Sequence, residues 1–491
     1  MFWRTVVVRL GYCIASLLIL AAFSVSLSNL LTPFLNHHRV YFEKLATSLL
    51  DRPVKIGEIN IGWHFVEPEI YFHHVSVLDP ASQAVNLEVP LIKIDVAIFN
   101  SLFARTFIMD SLEVNGVSFA LHQNKAGEVS VDGFDQLLLT DKLSGHSLSP
   151  NAVFAWIFSQ PRLILSDFHV QYFSNDGTEK NITLKMLELS NTTRTHELSG
   201  NAVLNQPIPT RVAIHFNWKG NITDLPHVSA DLSLDLKNIS LTQWVTKNAL
   251  HRLHAEKGIG NATVEAKWND NAWQAVQSQF RFRDAVILLD QVFDNTLTFD
   301  EIAGSLEGQK NAAGEWVFST RDAKATNDDL SAQAKLSLTI PLNDSPLLDL
   351  QGDFTLFHAN NVSRYLPLKI YDADLNKWLR GAFLGGQVIN GYAVVQGRLN
   401  DFPFDNGAGK FAIGGNVKNV AMRYAPDWPL MKNINGKLLL YSMSMTADVT
   451  SAKILDIPLQ NIHADIPDLG TNPVLTAKST VQADLSQGLN F

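Results

Sequence analysis

Hydrophobic and polar positions change their spacing twice along this chain. Leu10 to Leu31 carries no charged residue, and polar Ser24, Ser26, Ser28 and Asn29 only dilute its end. About 20 mostly apolar residues in a helix cross a bilayer core, so this run is long enough to span. Phe34 to Leu50 reads as a second helix, with an imperfect stripe of Phe34, Val40, Leu45, Leu49 and Leu50, stopped by Asp51-Arg52-Pro53. From Val54 onward the period is two.

Residues 211–218 show that period best: Val212, Ile214, Phe216 and Trp218 go to one face, and Arg211, Ala213, His215 and Asn217 to the other. Ile92, Ile94, Val96 and Ile98 form another apolar row, with Lys93 and Asp95 facing away. Val117, Phe119 and Leu121 form a third, then Leu232, Leu234 and Leu236, then Leu336, Leu338 and Ile340. Such alternation suits antiparallel sheets with one wet face. The expected fold is mainly β, a hairpin-linked meander, with turn signals at Asn115-Gly116, Asn124 to Gly127, Asn175 to Gly177, Gly352-Asp353, Asn390-Gly391 and Asn435-Gly436. Helical interruptions are expected at Ser149–Ser159, Leu241–Glu256 and Asp372–Phe383, as caps or plugs on the sheet. A loose echo of strand, Asn, then Ile or Val recurs at Asn238, Asn361 and Asn419, without the fixed period of a solenoid.

Charge and cysteine content narrow the partners. A net charge of −9 with no Lys/Arg cluster speaks against nucleic acid. The one cysteine, Cys13, sits in the apolar run, so the rest of the chain has no disulfide, thiol nucleophile or cysteine-ligated metal. Arg4 and Arg9 precede the run and Arg39 follows it; the short basic N-terminus favours N-in, C-out for a spanning helix. A cleaved signal peptide ending at Ser24-Val25-Ser26 is the competing reading, and both export the bulk of the chain. Asn-x-Ser/Thr triplets at Asn181, Asn191, Asn221, Asn238, Asn261 and Asn361 fit a turn-rich composition as well as glycosylation.

Reaction chemistry is hard to find. His73-His74 point to opposite faces of a strand, and His37-His38 read as surface residues. His251 and His254 lack the glutamate of a His-Glu-x-x-His zinc motif. Around Gly407-Ala-Gly409-Lys410, Phe404 and Phe411 replace a phosphate loop's first glycine and its Ser/Thr. No catalytic, cofactor or metal-binding residue is nominated, and the expectation is not an enzyme.

Two regions carry a family resemblance. Leu49-Leu-Asp-Arg-Pro-Val-Lys-Ile-Gly-Glu-Ile59, followed by Trp63 and Pro68-Glu-Ile70, resembles the start of AsmA-like envelope proteins. Tyr365-Leu-Pro367, Leu375-Asn-Lys-Trp-Leu379, Gly385-Gly386, Phe402-Pro-Phe404, Phe411 and Tyr424-Ala-Pro-Asp-Trp-Pro429 resemble the YhdP branch of that family. The resemblance implies a Gram-negative inner-membrane protein: a cytoplasmic N-terminus (1–9), a transmembrane helix (10–31), a juxtamembrane helix (32–52) and a periplasmic domain (53–491) whose strands curl into an elongated antiparallel groove. It implies phospholipid carriage between inner and outer membranes, with other envelope proteins completing the path and no cofactor. YhdP-like proteins run much longer, so the resemblance also implies a domain incomplete at Phe491: a fragment, a split gene product or a shortened variant.

The period-two rows named above, Ile92 through Ile340, are the candidate groove lining. An acyl chain needs a continuous dry surface, worth ~0.8 kcal/mol per buried CH₂. The same rows also fit the core of closed β-sandwiches. A different class of function is an envelope scaffold that binds protein partners along an exposed strand edge.

Overall fold

The computed structural model describes residues 2–481 apart from 51, 65–66, 125–128, 132–157, 176, 221–224, 245–252, 290–292, 371–372, 426, 456 and 471–472. The chain divides into two compact units, residues 1–234 with 268–271, and residues 235–267 with 272–491. Both are dominated by antiparallel strands with few helices.

The first unit opens with α1 (Phe2–His37) and α2 (Arg39–Leu50). The helix expected to start at Phe34 instead begins at Phe2, runs through Pro33 and breaks only at His38. Among the described residues no helix is long and apolar enough to cross a membrane. Many side chains of the 10–31 run, Leu10, Cys13, Leu17 and Leu20 among them, lie outside that description, as does that of Arg4; Arg9 is exposed.

Strands β1 (Val54–His64), β2 (Glu67–Leu78) and β3 (Val85–Val96) form a meander, followed by α3 (Ile98–Ala104) and β4 (Met109–Asn115). Then come β5 (Ser118–Gln123), β6 (Val129–Val131), β7 (Arg162–Phe173), β8 (Glu179–Asn191), β9 (Thr195–Asn205) and β10 (Thr210–Lys219). Sequential neighbours pair antiparallel from β1 to β4 and from β7 to β10. The meander expectation fails in one place: β4 and β5 both lie parallel to β7. Asn115-Gly116 is therefore no hairpin turn. The chain continues past it along β7, with the Gly116 N–H donating to the Ser166 carbonyl at 3.0 Å and the His169 N–H to Val117 at 2.8 Å.

β1 has β2 on one side and the helices on the other. The side chains of Thr32, Asn36, Arg39, Glu43 and Thr47 hydrogen-bond its outer backbone edge, and Ser28 accepts from the Trp63 indole at 2.6 Å. Asn36 satisfies both groups of Ile59, donating to its carbonyl at 2.7 Å and accepting from its N–H at 2.9 Å. The match is geometric: four helical residues rise about 6 Å and two strand residues about 6.6 Å, so each turn meets the next outward pair of the strand. An edge that would otherwise template another strand is thereby closed. Leu35, Phe42 and Ala46 pack from the same helices onto a core of Val54, Ile56, Ile59, Val75 and Val77.

β11 (Ser229–Ser240) contributes to both units. The second unit continues through β12 (Leu253–Asn269), β13 (Ala272–Leu289), β14 (Leu297–Lys310), β15 (Trp316–Thr326), β16 (Leu330–Ile340) and β17 (Leu347–Leu356). An insertion carrying α4 (Ala373–Ala382) precedes β18 (Phe383–Arg398), β19 (Lys410–Met422), β20 (Met431–Tyr441), β21 (Ser444–Ile454), β22 (Ile457–Ile466) and β23 (Thr476–Val481). From β13 to β23 each strand pairs antiparallel with the next.

Of the expected helices, Asp372–Phe383 is present as α4, with residue 372 outside the described residues and Phe383 already in a strand. Leu241–Glu256 is helical only over Leu241–Trp244; residues 245–252 lie outside the description, and Leu253 onward is strand. Most of Ser149–Ser159 also lies outside it, as does the Lys125 to Gly127 turn.

Gly352-Asp353, Asn390-Gly391 and Asn435-Gly436 sit inside strands, not at turns. At the two Asn-Gly pairs the reason is conformational, a left-handed Asn at the pair or two residues before it, whereas Gly352-Asp353 runs in regular register with β16. Asn390, Asn419, Asn433 and Asn461 adopt left-handed φ near 50°, which Asn tolerates better than most residues, and each bends its strand. Val420, Ile434 and Ile462, just after such residues, are buried. The echo of Asn before Ile or Val is this recurrent kink at Asn238 and Asn419, whereas Asn361 lies in a short 3₁₀ helix.

Candidate functional site

Cross-strand register turns the period-two segments into continuous apolar rows. In the first unit one row runs Ile59, Phe72, Ile92, Val114, Leu165, Leu187, Gly200, Ile214. Beside it runs Ile61, Ile70, Ile94, Leu112, Leu163, Leu189, Leu198, Phe216. Segments 92–94 and 214–216, far apart in sequence, are thus placed on one face.

The remaining candidates fall as follows. Phe119 pairs with Val170, Leu121 with Tyr172 and Val212 with Ala202. Val96, Val117, Trp218 and Leu236 are buried, and Leu232 and Leu234 half-buried. Val117 lies between strands rather than in one, packed in the core. Ile98 is not a strand residue: β3 ends at Val96, and the chain turns into α3 because β4 begins only at Met109 and offers no ladder partner there.

In the second unit Leu336 joins Thr320, Leu350, Val395 and Phe411, while Leu338 joins Phe318, Leu348 and Gly397. Ile340 pairs with Trp316 and is exposed. A third row, Ala334, Gly352, Ala393, Ile413, Leu440, Met445, Ile466, carries the same face across to β22. The opposite face presents Gln333, Lys335, Asp349, Gln351 and Asp353. Phe318, Leu336, Leu338, Leu348 and Leu350 are only half-buried, so this apolar face remains open to solvent.

α4 lies over the far part of that face. Its Leu375, Trp378 and Leu379 pack with Leu368, Leu440, Met445, Ile466 and Leu469. Polar contacts fix it: the Trp378 indole donates to the Tyr424 carbonyl at 3.0 Å, the Asn376 amide donates to the Leu368 carbonyl at 3.1 Å, and Arg380 pairs with Asp294. The preceding segment is tied by Asp329, a buried carboxylate that accepts from Asn361 at 2.7 Å and Arg364 at 3.0 Å. Under and beside α4 is a cavity of about 720 Å³, lined mostly by apolar side chains, Trp378, Phe383, Tyr424, Trp428, Met431 and Met445 among them, with Asp374, Lys437 and Ser479 as its polar members. A smaller, wholly apolar one of about 100 Å³ adjoins it and shares Leu375, Trp378, Phe383, Leu438 and Met445. Pockets of ~300–1,000 Å³ accommodate small ligands.

Sequence reading passed over these lining residues although it had noted several of them. Trp378, Tyr424 and Trp428 stand in the motifs that carried the family resemblance, and in the structure they converge on one cavity. The helical side chains on β1 were also overlooked. Their signal is a polar stripe at spacings of four, four, three, four and four from Ser28 to Thr47.

On the polar face of the first unit, Lys93 bonds Glu69 at 2.7 Å and Asp95 at 3.2 Å, and the Tyr71 hydroxyl donates to Glu69 at 2.5 Å. Burial, reinforced by the Glu69 carboxylate, pushes the Tyr71 phenol up to about 12. Burial works to lower the Lys93 ammonium, but its two carboxylate bonds outweigh this and hold it above the usual lysine range. This pairing is structural in form: every charge has its partner. Among the described residues no three His, Cys, Asp or Glu side chains come together as a metal site.

These features define a class: a β protein whose sheets carry one polar face and one continuous apolar face, with an apolar cavity beneath a helix. Comparison with known sequences agrees. The chain matches the family described as YhdP protein over residues 1–287 and 274–491, and it belongs to that family. One relative, described as "Intermembrane phospholipid transporter YhdP" from Escherichia coli (strain K12), is 26% identical over 135 residues. That match covers 28% of this chain and 11% of the relative. A "PKHD-type hydroxylase" from Cupriavidus metallidurans is 27% identical over 179 residues, 35% of this chain and 69% of that protein. No solved structure matches.

Proposed function

We propose that this chain guides phospholipid along its apolar sheet face, anchored in the inner membrane of a Gram-negative envelope by the 10–31 segment of α1, with its bulk in the periplasm. The observation that carries the reading is the pair of apolar rows Phe318–Leu338–Leu348 and Leu336–Leu350–Val395, whose side chains stay half-exposed. A face built only to be a core would be closed by a second layer; here α4 and its flanks cover only the far part. Ten methylenes laid on such a surface recover up to about 8 kcal/mol of the cost of leaving a bilayer. The residues proposed as lining, each on the apolar face of its own unit, are the period-two candidates from Ile92 to Ile340 other than Ile98, joined in the second unit by Trp378, Tyr424, Trp428 and Met445. Headgroups would stay in water at the rim, so the step is binding and sliding, without bond chemistry. Envelope proteins that complete the path belong to the same proposal.

The test is photo-crosslinking in cells. Crosslinkers at Leu338 and Met445 are expected to capture phospholipid, and those at Lys335 and Thr446, on the opposite face, to capture none. Equal capture on both faces, or none on either, overturns the reading. The scaffold alternative has less to stand on at β1, whose outer edge is already hydrogen-bonded by α1 and α2.

A further inference from the structure

The short helix α3 exposes what folding would hide. Phe103 is 86% exposed, Leu102 74%, Phe107 59% and Phe99 58%. The segment is nevertheless well tied. The Ala97 N–H donates to the Ile108 carbonyl at 3.1 Å, the Ser101 N–H to Ala97 at 2.8 Å, and the Ile108 N–H to the Ser101 hydroxyl at 2.9 Å. Four large apolar side chains are therefore held outward on a closed, hydrogen-bonded loop, and a contiguous exposed apolar patch marks an interaction surface.

Its place in the unit says what the surface meets. Asp95 in β3 pairs with Glu69, and Glu69 with Gly62 in β1. The end of β3 is therefore level with Trp63, the residue whose indole bonds Ser28 of α1. The part of α1 before Ser28 runs on past this end of the sheet. Its Tyr12, Ile19, Phe23 and Val25 are also exposed. At 1.5 Å per residue, Leu10 lies about 27 Å farther along the helix than Ser28. α3 thus stands at the level where the apolar run of α1 ends. Between Asp95 and Asp110 the only charge is Arg105, exposed and cationic.

We infer that α3 and Phe107 form an interfacial foot that dips into the periplasmic leaflet of the phospholipid bilayer entered by α1, with Arg105 meeting the anionic phosphates. This rests on the membrane-anchored reading above. Aromatic side chains favour the headgroup boundary, and amphipathic elements lie in it with their apolar side down. The foot holds the membrane-side ends of β1, β2 and β3 against the leaflet, where the row that begins Ile61, Ile70, Ile94 is within reach of acyl chains. The paired helix and foot also give two points of attachment, which fixes the tilt of the sheet above the surface.

The full chain carrying Cys13→Ser, with one new cysteine bearing an environment-sensitive fluorophore, is reconstituted into vesicles of phosphatidylcholine and phosphatidylglycerol. Nitroxides sit on the acyl chain, just below the headgroup for the labels at Phe103, Phe107 and Val85 and near the bilayer midplane for the label at Ile19. Labels replace Phe103, Ile19, or Val85, an exposed residue at the opposite end of β3. The expected result is that labels at Phe103 and Ile19 lose most of their fluorescence to the nitroxide and the label at Val85 keeps its own. Quenching at Ile19 with none at Phe103 overturns the foot and leaves the anchor standing. No quenching at Ile19 overturns the anchor, and the foot as drawn goes with it. Quenching at Val85 equal to that at Phe103 overturns the foot as well. A second measurement guards against misfolding: Phe103→Asp with Leu102→Asp is expected to keep the wild-type far-UV circular dichroism while releasing a label at Phe107 from quenching.

Discussion

The β1–β2 corner and the β15–β17 stretch follow the same alternation and end in opposite states. At β1–β2 the apolar face is closed: Ile59 is fully buried, Val54, Ile56 and Val77 nearly so, and Phe42 of α2 packs edge-on to Phe72 with ring centres 6.1 Å apart. At β15–β17 the equivalent face of Phe318, Leu338 and Leu348 has no such cover and stays half-exposed. Alternation determines which face is apolar; a separate element determines whether that face becomes core or surface. The difference separates residues that hold this protein together from residues free to hold something else.

Truncation should widen that contrast more than any other change. Ile59→Ala removes a fully buried side chain beneath packed helices and is expected to lower unfolding stability by about 2–5 kcal/mol. Leu338→Ala gives up less buried surface and should lower it by about 1 kcal/mol, while reducing lipid capture at a crosslinker on its ladder partner Leu348. Denaturant melts of the two variants decide it. Equal losses would mean that the β15–β17 face is an ordinary core and that the contrast has been misjudged.

Much of the fold was legible because it rests on local rules. Period two gave the strands and their wet faces, and the clean alternation around Phe216 and Ile94 anticipated which side chains share a face. The cover was not legible, since nothing in Phe42 or Leu375 says which strand it will meet. Turn chemistry misled for a physical reason: Asn390-Gly391 and Asn435-Gly436 suit a hairpin, yet left-handed Asn residues also serve a kink within a long strand. Ser28 was read as dilution of an apolar run and Thr32 and Asn36 were not singled out, whereas Ser28 accepts from the Trp63 indole and the other two hydrogen-bond the backbone edge of β1. The Asn-x-Ser/Thr triplets likewise have structural uses, Asn361 on Asp329 and Asn191 on the Gln160 carbonyl.

The covered part of the second unit offers an intermediate case, because its cover is held by polar bonds at the rim. Asp329→Ala leaves Asn361 and Arg364 without their common acceptor, and losing a buried acceptor costs about 1–3 kcal/mol. The loss should be local. Amides of residues 359–365 are expected to exchange faster by hydrogen–deuterium exchange, with little change in β20 and β21. Uniform loss of protection across the unit would show that the insertion is integral to the sheet rather than a separately latched cover.

The smallest effect belongs to the polar face opposite the closed corner, at Tyr71. Its phenol stands at about 12 against an ordinary 10.0, so the folded protein retains a proton that the unfolded chain releases first. Stability from this group is complete below pH ~10 and is lost as pH rises through the folded value, since the unfolded state then binds fewer protons than the native one. Tyr71→Phe removes the linkage. Wild type should lose stability more steeply than the variant between pH ~10 and ~12, and a late-titrating tyrosine should disappear from the ultraviolet spectrum of the variant. If that late transition persists in Tyr71→Phe, the Glu69–Tyr71–Lys93 contact is not what holds the proton. The polar face would then be as loosely ordered as any solvated sheet surface, and the rigidity of the β1–β2 corner would rest on its apolar side alone.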